Sequence, residues 1–392
     1  MSALQGWKIV ELAERVTGEY TGKLLADFGA EVIKVERPGG SPTRAMGPFA
    51  GDHAGPEQSA LFAYLNTNKK SVVLDLSQEQ DIVTLHRLLS MADAVIDDHD
   101  AAWAEAIGLS PERLAAEHPA LVACAITPFG QGAPADWQQA RPLNVMNAGG
   151  WAYHTPSESD GSKPPLKGAG RFMSDYEAGI DAALCVVSSL YRKHQCGKGQ
   201  YIDISEVEVQ LSRTDCVLGR MLAGEVEPGP EHGKYDMGGP GTSFACKDGQ
   251  VYLIMTTAKH WSGLCTLMGE PEWTTAFPAD WLEYGCTAER VADFRAGFAQ
   301  WVLGEDKDVV SEAAQKLGVP IVPVNTAADL HRSVQYVHRG YFQSLHHPVL
   351  GDALYPTAPY KLSATPVQLT SPAPLLGQDS AAVLTAAQTE GA

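Results

Sequence analysis

Two hydrophobic periodicities alternate through the first third of the chain, and that alternation confines the fold to one class. Residues 7–12, Trp-Lys-Ile-Val-Glu-Leu, have the short apolar run of a strand. From Thr17 to Phe28 the spacing of Tyr20, Leu24, Leu25 and Phe28 marks one helical face, and Gly29 stands where such a helix stops. Residues 30–36 return to strand character. A second round predicts a strand at 71–76, a helix over 82–91 and a strand at 94–97. A third opens at Ser110 and Pro111, suited to an N-cap and a first helical turn, and ends in the apolar run 121–126. Repeated strand–helix–strand units need right-handed crossovers, so the expected core is a parallel sheet covered by helices on both faces.

Sheets of this kind often hold nucleotides, yet the first strand-to-helix turn reads Ala13-Glu14-Arg15-Val16-Thr17-Gly18. It carries neither GxGxxG nor GxxxxGK[ST], which disfavours a conventional dinucleotide or P-loop site. Composition narrows the partners. With 47 Asp and Glu against 29 Lys and Arg the formal charge is −18, and no basic run exceeds Lys69-Lys70. Nucleic acid is therefore not an expected partner. No apolar run approaches the roughly 18 residues of a membrane span, and the N-terminus lacks a signal-peptide pattern. Seven cysteines without a CxxC pair read as reduced thiols of a cytosolic protein, with no disulfide framework and no metal site.

Beyond the first third, residues 176–192 form an apolar helix, 197–199 a turn and 201–204 a strand. Residues 224–241 are rich in Gly, Pro and charge and read as a linker or loop. A smaller domain is expected over 242–319. The tail 321–374 carries eight prolines counting Pro320, and is expected to be extended and wrapped over the rest. Glu206 and Glu208 read as a solvated helix face, and His331, His338, His346 and His347 as exposed tail histidines.

Several segments together resemble the class III, or CaiB/BaiF-type, CoA-transferase family. They are the stretch from Gly18 to Glu36 with Arg37-Pro38-Gly39-Gly40, the run from Leu65 to Leu76, Phe129-Gly130-Gln131, Ser174-Asp175-Tyr176-Glu177-Ala178-Gly179, the run from Gly197 to Ser205, and the tail segments at 322–324, 339–342 and 347–351. Their order spans nearly the whole chain. The resemblance implies an α/β fold: a Rossmann-like parallel-sheet large domain built from both chain ends, with a smaller α+β domain, in an interlocked homodimer. On that basis residues 1–215 are the CoA-binding part of the large domain, 216–241 the linker and glycine loop, 242–320 the small domain and 321–392 the return segment.

The activity implied is transfer of CoA from an acyl-CoA to a carboxylic acid, with coenzyme A as substrate and no tightly bound cofactor. Asp175 matches the family's nucleophilic aspartate. A carboxylate suits that role because it is ionised at neutral pH and leaves as readily as it attacks. The competing reading is that Asp175 simply caps the helix that follows. Gly238 and Gly239, in the run 236–241, resemble the glycine loop that shields the family's covalent intermediates; an ordinary linker is the other reading. Val16, Arg37, Asn68, Lys69, Lys70, Asp98 and Arg141 fall at positions implied to contact CoA, against a reading of Lys70 as solvated charge. One departure stands out: Asp97, Asp98 and Asp100 replace an arginine-bearing segment, and their charge is expected to repel CoA phosphates. An acyl-CoA racemase and a non-catalytic subunit of a hetero-oligomer are the rival readings.

Overall fold

A computed structural model describes residues 2–151, 170–224 and 239–389. The chain divides into two compact units, one of Met1–Gly229 with Gly340–Ala392 and the other of Pro230–Arg339.

The first unit is organised by six parallel strands, β1 Lys8–Glu11, β2 Glu31–Glu36, β3 Lys69–Val73, β4 Ala94–Asp97, β5 Val122–Thr127 and β6 Tyr201–Ser205. Their spatial order is β3-β2-β1-β4-β5-β6. The order therefore reverses between β1 and β4, and in an open α/β sheet the crevice beyond the C-terminal ends of those two strands is where ligands bind. The unit's helices include α1 Val16–Asp27, α2 Ala60–Leu65, α3 Glu79–Ser90, α4 Ala101–Ala106, α5 Pro111–Glu117, α6 Pro142–Ala148, α7 Met173–Cys196 and α8 Glu206–Ser212. Alternate residues of each strand feed opposite faces. Ile9 and Val122 pack with Leu25 of α1 and Ala178, Ala182 and Val186 of α7. Val10 and Ala123 pack with Leu85 and Leu88 of α3, Leu114 of α5 and Val383 of the C-terminal helix, Ser380–Thr389. Each such buried Leu or Val contributes about 1.5–3 kcal/mol.

Helix α1 ends as its sequence indicates, with Gly29 at φ +98°. Its start is unusual. Arg15 is the N-cap and its side chain makes no cap bond. The carboxylate of Asp98, just past β4, accepts instead from the backbone N–H groups of Glu14 and Arg15, both at 2.8 Å. An anion that a phosphate-binding fold would take from its ligand is here supplied by the chain itself.

The return segment is more structured than its prolines suggest. Strands β10 Phe342–His347 and β11 Gly351–Pro356 form an antiparallel hairpin, and the C-terminal helix follows. His347 is buried rather than exposed: its Nδ1 accepts from the N–H groups of Val349 and Leu350 at 3.1 Å each and so closes the hairpin turn. Asp379 accepts from the Ser71 amide at 2.9 Å and Ser380 from the Val73 amide at 3.1 Å, which covers the edge of β3.

The second unit pairs β7 Thr242–Cys246, β8 Gly249–Leu253 and β9 Ile321–Pro323 in an antiparallel sheet. Its core is aromatic: Trp261, Trp281, Phe294 and Phe298 are buried together. Among the described residues no helix is long and apolar enough to cross a membrane.

Candidate active site

Five segments of the first unit meet around the β1–β4 switch point, and each delivers a side chain for a local reason. The β1–α1 turn presents Arg15 and Thr17. The end of β4 supplies Asp98 and His99. Helix α6 begins at Arg141–Pro142, α7 brings Ser174 and Asp175 in its first turn, and Glu206 opens α8 immediately after β6.

Helix α7 begins at Met173, three residues before the point the sequence indicates, and Phe172 rather than Asp175 is its N-cap. Asp175 thus lies inside the first turn and is not a cap. It is 3% exposed. Ser174 Oγ donates to its Oδ2 at 3.2 Å and lies 3.5 Å from the Pro142 carbonyl, which ties the start of α7 to that of α6. Burial, and then the negative charge of Glu206, push the Asp175 carboxyl up to about 7, against the opposing pull of Arg15 and Ser174.

Glu206 is the residue the sequence reading missed. It is fully buried, not on a solvated face; Glu208 is exposed. Thr17 Oγ1 donates to Glu206 Oε1 at 2.7 Å, and Arg15 Nη2 donates to Oε2 at 3.3 Å. The signal that could have found it is weak: a glutamate directly at a strand-to-helix junction on the C-terminal edge of a parallel sheet.

Close approach of α1 and α7 makes this convergence possible. A Cβ on Gly179 would sit 3.0 Å from the Thr17 carbonyl and 3.1 Å from the Tyr20 ring. Tyr20 in turn packs edge-on against Tyr176 at 4.8 Å. Gly179→Val is therefore expected to force the two helices apart and to cost about 1–3 kcal/mol of stability, measurable by chemical denaturation; an unchanged midpoint would contradict this packing.

The three acidic residues expected to repel an anionic ligand are each engaged by the chain. Asp98 holds the α1 start, and its burial raises its carboxyl to about 7. Asp100 caps α4 through the Trp103 amide at 2.9 Å. Asp97 pairs with His99 Nδ1 at 2.7 Å. Burial works against the His99 cation, but its bonds to Asp97 and Glu14 prevail and raise it to about 10. A cationic imidazole, stacked 3.6 Å from the Trp103 ring, thus stands in the segment that lacks an arginine.

The remaining candidates divide. Val16 is buried at the first turn of α1; Arg37, 57% exposed, pairs with Glu14 at 3.3 Å; Arg141 is exposed at the start of α6. These three belong with Asp98 and Asp175 at the C-terminal edge of the sheet. Asn68, Lys69 and Lys70 do not join them. Asn68 adopts φ +64° and binds the return segment through the Thr370 amide at 2.7 Å and the Gln368 carbonyl at 2.9 Å. The Lys69 ammonium is buried, paired with Glu11 at 2.7 Å and donating to the Glu19 carbonyl and Asn66, so it is spent inside the fold. Burial also lowers it, to about 8. Lys70 points the other way and pairs with Glu31. Gly238 lies outside the described residues. Gly239 belongs to the second unit, where its carbonyl accepts from Arg295 at 2.8 Å.

One cluster of metal-ligating type, His86, Glu117 and His118, occurs among the described residues. It lies by α3 and α5, on the sheet face opposite α1 and α7. With ring nitrogens 3.2 Å apart and ring centroids 5.5 Å apart, the two imidazoles face each other head-on, as in an N–H···N hydrogen bond.

The family model described as CoA-transferase family III matches residues 4–380. Among curated relatives, the succinyl-CoA:(R)-benzylsuccinate CoA-transferase subunit BbsE of Thauera aromatica is 27% identical, covering 96% of this chain and 92% of that protein. A succinyl-CoA:mesaconate CoA-transferase of Haloarcula marismortui is 26% identical over 98% of this chain and 96% of its own. Among solved structures, a CAIB/BAIF family protein from Brucella suis superposes with a TM-score of 0.81 at 26% identity, covering 98% of this chain and 99% of that one.

Proposed function

The chain belongs to CoA-transferase family III, and from that premise we propose that it moves CoA between a thioester and a carboxylic acid through a covalent intermediate on Asp175. The observation that carries this reading is a buried carboxylate in the first turn of α7, at the sheet's ligand-binding edge, beside a second buried carboxylate and an arginine. Asp175 attacks the thioester carbonyl; a C–O bond forms, the C–S bond breaks, and CoA leaves as thiolate. The thiolate then attacks the aspartyl carbonyl of the anhydride, releasing the donor acid and leaving an aspartyl-CoA thioester. The acceptor carboxylate attacks that thioester, and the freed thiolate takes the new acyl group, restoring Asp175. Amide donors of the α7 start are suited to the developing oxyanions. The exposed cations Arg37 and Arg141 are the groups suited to CoA phosphates.

Relatives are named for succinyl-CoA, and on this reading the donor is a dicarboxylic acyl-CoA of that size. Incubation with succinyl-CoA and hydroxylamine is expected to convert Asp175 to its hydroxamate, read by peptide mass; an unmodified Asp175 across a panel of thioesters would sink the covalent route. The relative named as a subunit favours a second reading, in which a different chain is required; turnover by the purified chain alone would exclude it. We also carry over from the family resemblance an interlocked homodimer in the cytoplasm, for which a monomer by light scattering would be the contrary result.

The nucleophile must be ionised, so acylation of Asp175 is expected to rise with pH through about 7. Removing the neighbouring charge by Glu206→Gln should move that limb to lower pH. A rapid-quench pH profile checks both, and a limb that stays in place would contradict the electrostatic coupling.

A further inference from the structure

Arg15 is held in a way that leaves most of its guanidinium free. Its backbone N–H is fixed by Asp98 at 2.8 Å, and among the described residues its side chain hydrogen-bonds only to Glu206. That bond is 3.3 Å, long for a charge-assisted contact, and Glu206 is already served by Thr17 at 2.7 Å. Glu206 is fully buried while the Arg15 side chain is 23% exposed. The fork thus touches the buried carboxylate with one nitrogen, and among the described residues its remaining donors make no other hydrogen bond. Its charge is also felt by Asp175.

We propose that Arg15 determines substrate class by gripping the distal carboxylate of a dicarboxylic acyl group while the proximal carbonyl meets Asp175. This rests on the assignment of Asp175 as the acyl-accepting carboxylate. A planar guanidinium with unoccupied donors is suited to bidentate recognition of a second carboxylate. A monocarboxylic chain of the same length would place a methyl group against those donors and leave them unpaired. The acceptor acid, which must form its own anhydride with Asp175, is selected in the same way.

The test compares kcat/KM for succinyl-CoA and butyryl-CoA, which differ in a distal carboxylate against a methyl, in the full-length protein and three variants. Wild type should favour succinyl-CoA. Arg15→Gln should reduce the succinyl-to-butyryl ratio about 10- to 100-fold, the range for a charged hydrogen bond. Arg15→Lys should restore part of it. Arg15→Gln combined with Glu206→Gln should match Arg15→Gln alone, because the loss belongs to the substrate and not to an orphaned Glu206. An unchanged ratio, with both rates falling together, would reduce Arg15 to a structural partner of Glu206 and overturn the inference. Hydroxylamine trapping separates the two levels: an Asp175 adduct with an unchanged ratio defeats only the role of Arg15, whereas no adduct in wild type defeats the reading beneath it. Should the variants fold poorly, inhibition of wild type by free succinate and butyrate gives the same answer. Succinate should be the stronger inhibitor, and equal inhibition would contradict the proposal.

Discussion

Asp175→Ala is expected to lower the rate of CoA transfer by about 10⁴-fold or more, the scale on which loss of a covalent nucleophile registers, and to do so without weakening the fold. The second half of that expectation follows from the electrostatics. Burial and Glu206 both oppose ionisation of Asp175, so at neutral pH its charge is a cost to the folded state. Alanine relieves that cost and leaves Glu206 with Thr17 and Arg15. Stability should be unchanged or slightly raised, the usual signature of a group kept for function. Asp175→Asn, of nearly the same shape but a poor nucleophile, should show the same loss. Initial rates beside urea denaturation check the pair of outcomes; an equal fall in rate and stability would point to a structural aspartate.

The largest effect on stability is expected at Arg44. Its guanidinium is 1% exposed, grips Glu36 twice at 2.7 and 2.9 Å, reaches Glu57 at 2.8 Å and the Pro374 carbonyl at 3.1 Å, and lies 3.7 Å over the Phe62 ring. It therefore joins β2 to the return segment. Arg44→Met would leave Glu36 buried without its ion-pair partner, for which about 3–5 kcal/mol is the expected loss. Burial alone would raise the Glu36 carboxyl, but the Arg44 hydrogen bonds and the charges of Lys34 and Arg44 hold it at about 2, below the usual 4.5. A depressed carboxylate stabilises the fold fully above its unfolded pKa and ceases to do so as pH falls through the folded one. The contribution, on the order of 3 kcal/mol, should thus be lost between about pH 4.5 and 2 in wild type and be much smaller in Arg44→Met. Denaturation midpoints across that window are the readout, and parallel curves for the two proteins would contradict the ion pair's role.

What the sequence disclosed was whatever is local. The β1–α1–β2 unit is written in apolar spacing and in Gly29, and the alternation alone was enough for a parallel sheet. Asp175 was found through resemblance, yet its place in the helix was misjudged because Phe172 makes no side-chain cap that a sequence could advertise. Glu206 was hidden for a physical reason: the group that makes its burial tolerable, Thr17, is 189 positions away. Asp98 likewise looked like a repulsive charge because its partners are amides of the β1–α1 turn, 84 and 83 positions distant. Lys69 and Lys70 are separated by the strand period alone. Successive residues of a strand face opposite sides, so two adjacent lysines on β3 could not both serve one phosphate. The prolines of the tail misled because they suit a hairpin and its flanks as well as an extended wrap.

The account turns on oxygen passing through Asp175. If the acceptor acid forms its anhydride with the enzyme, a heavy-oxygen-labelled acceptor carboxylate must leave one labelled oxygen in the Asp175 carboxyl when the new thioester departs. A single turnover followed by peptide mass analysis should find that one-oxygen exchange on the peptide containing Asp175, and should find the label in the released donor acid only in later turnovers. Label appearing in the donor acid during the first turnover, with Asp175 unlabelled, would mean that the two acids exchange directly and would contradict the covalent mechanism.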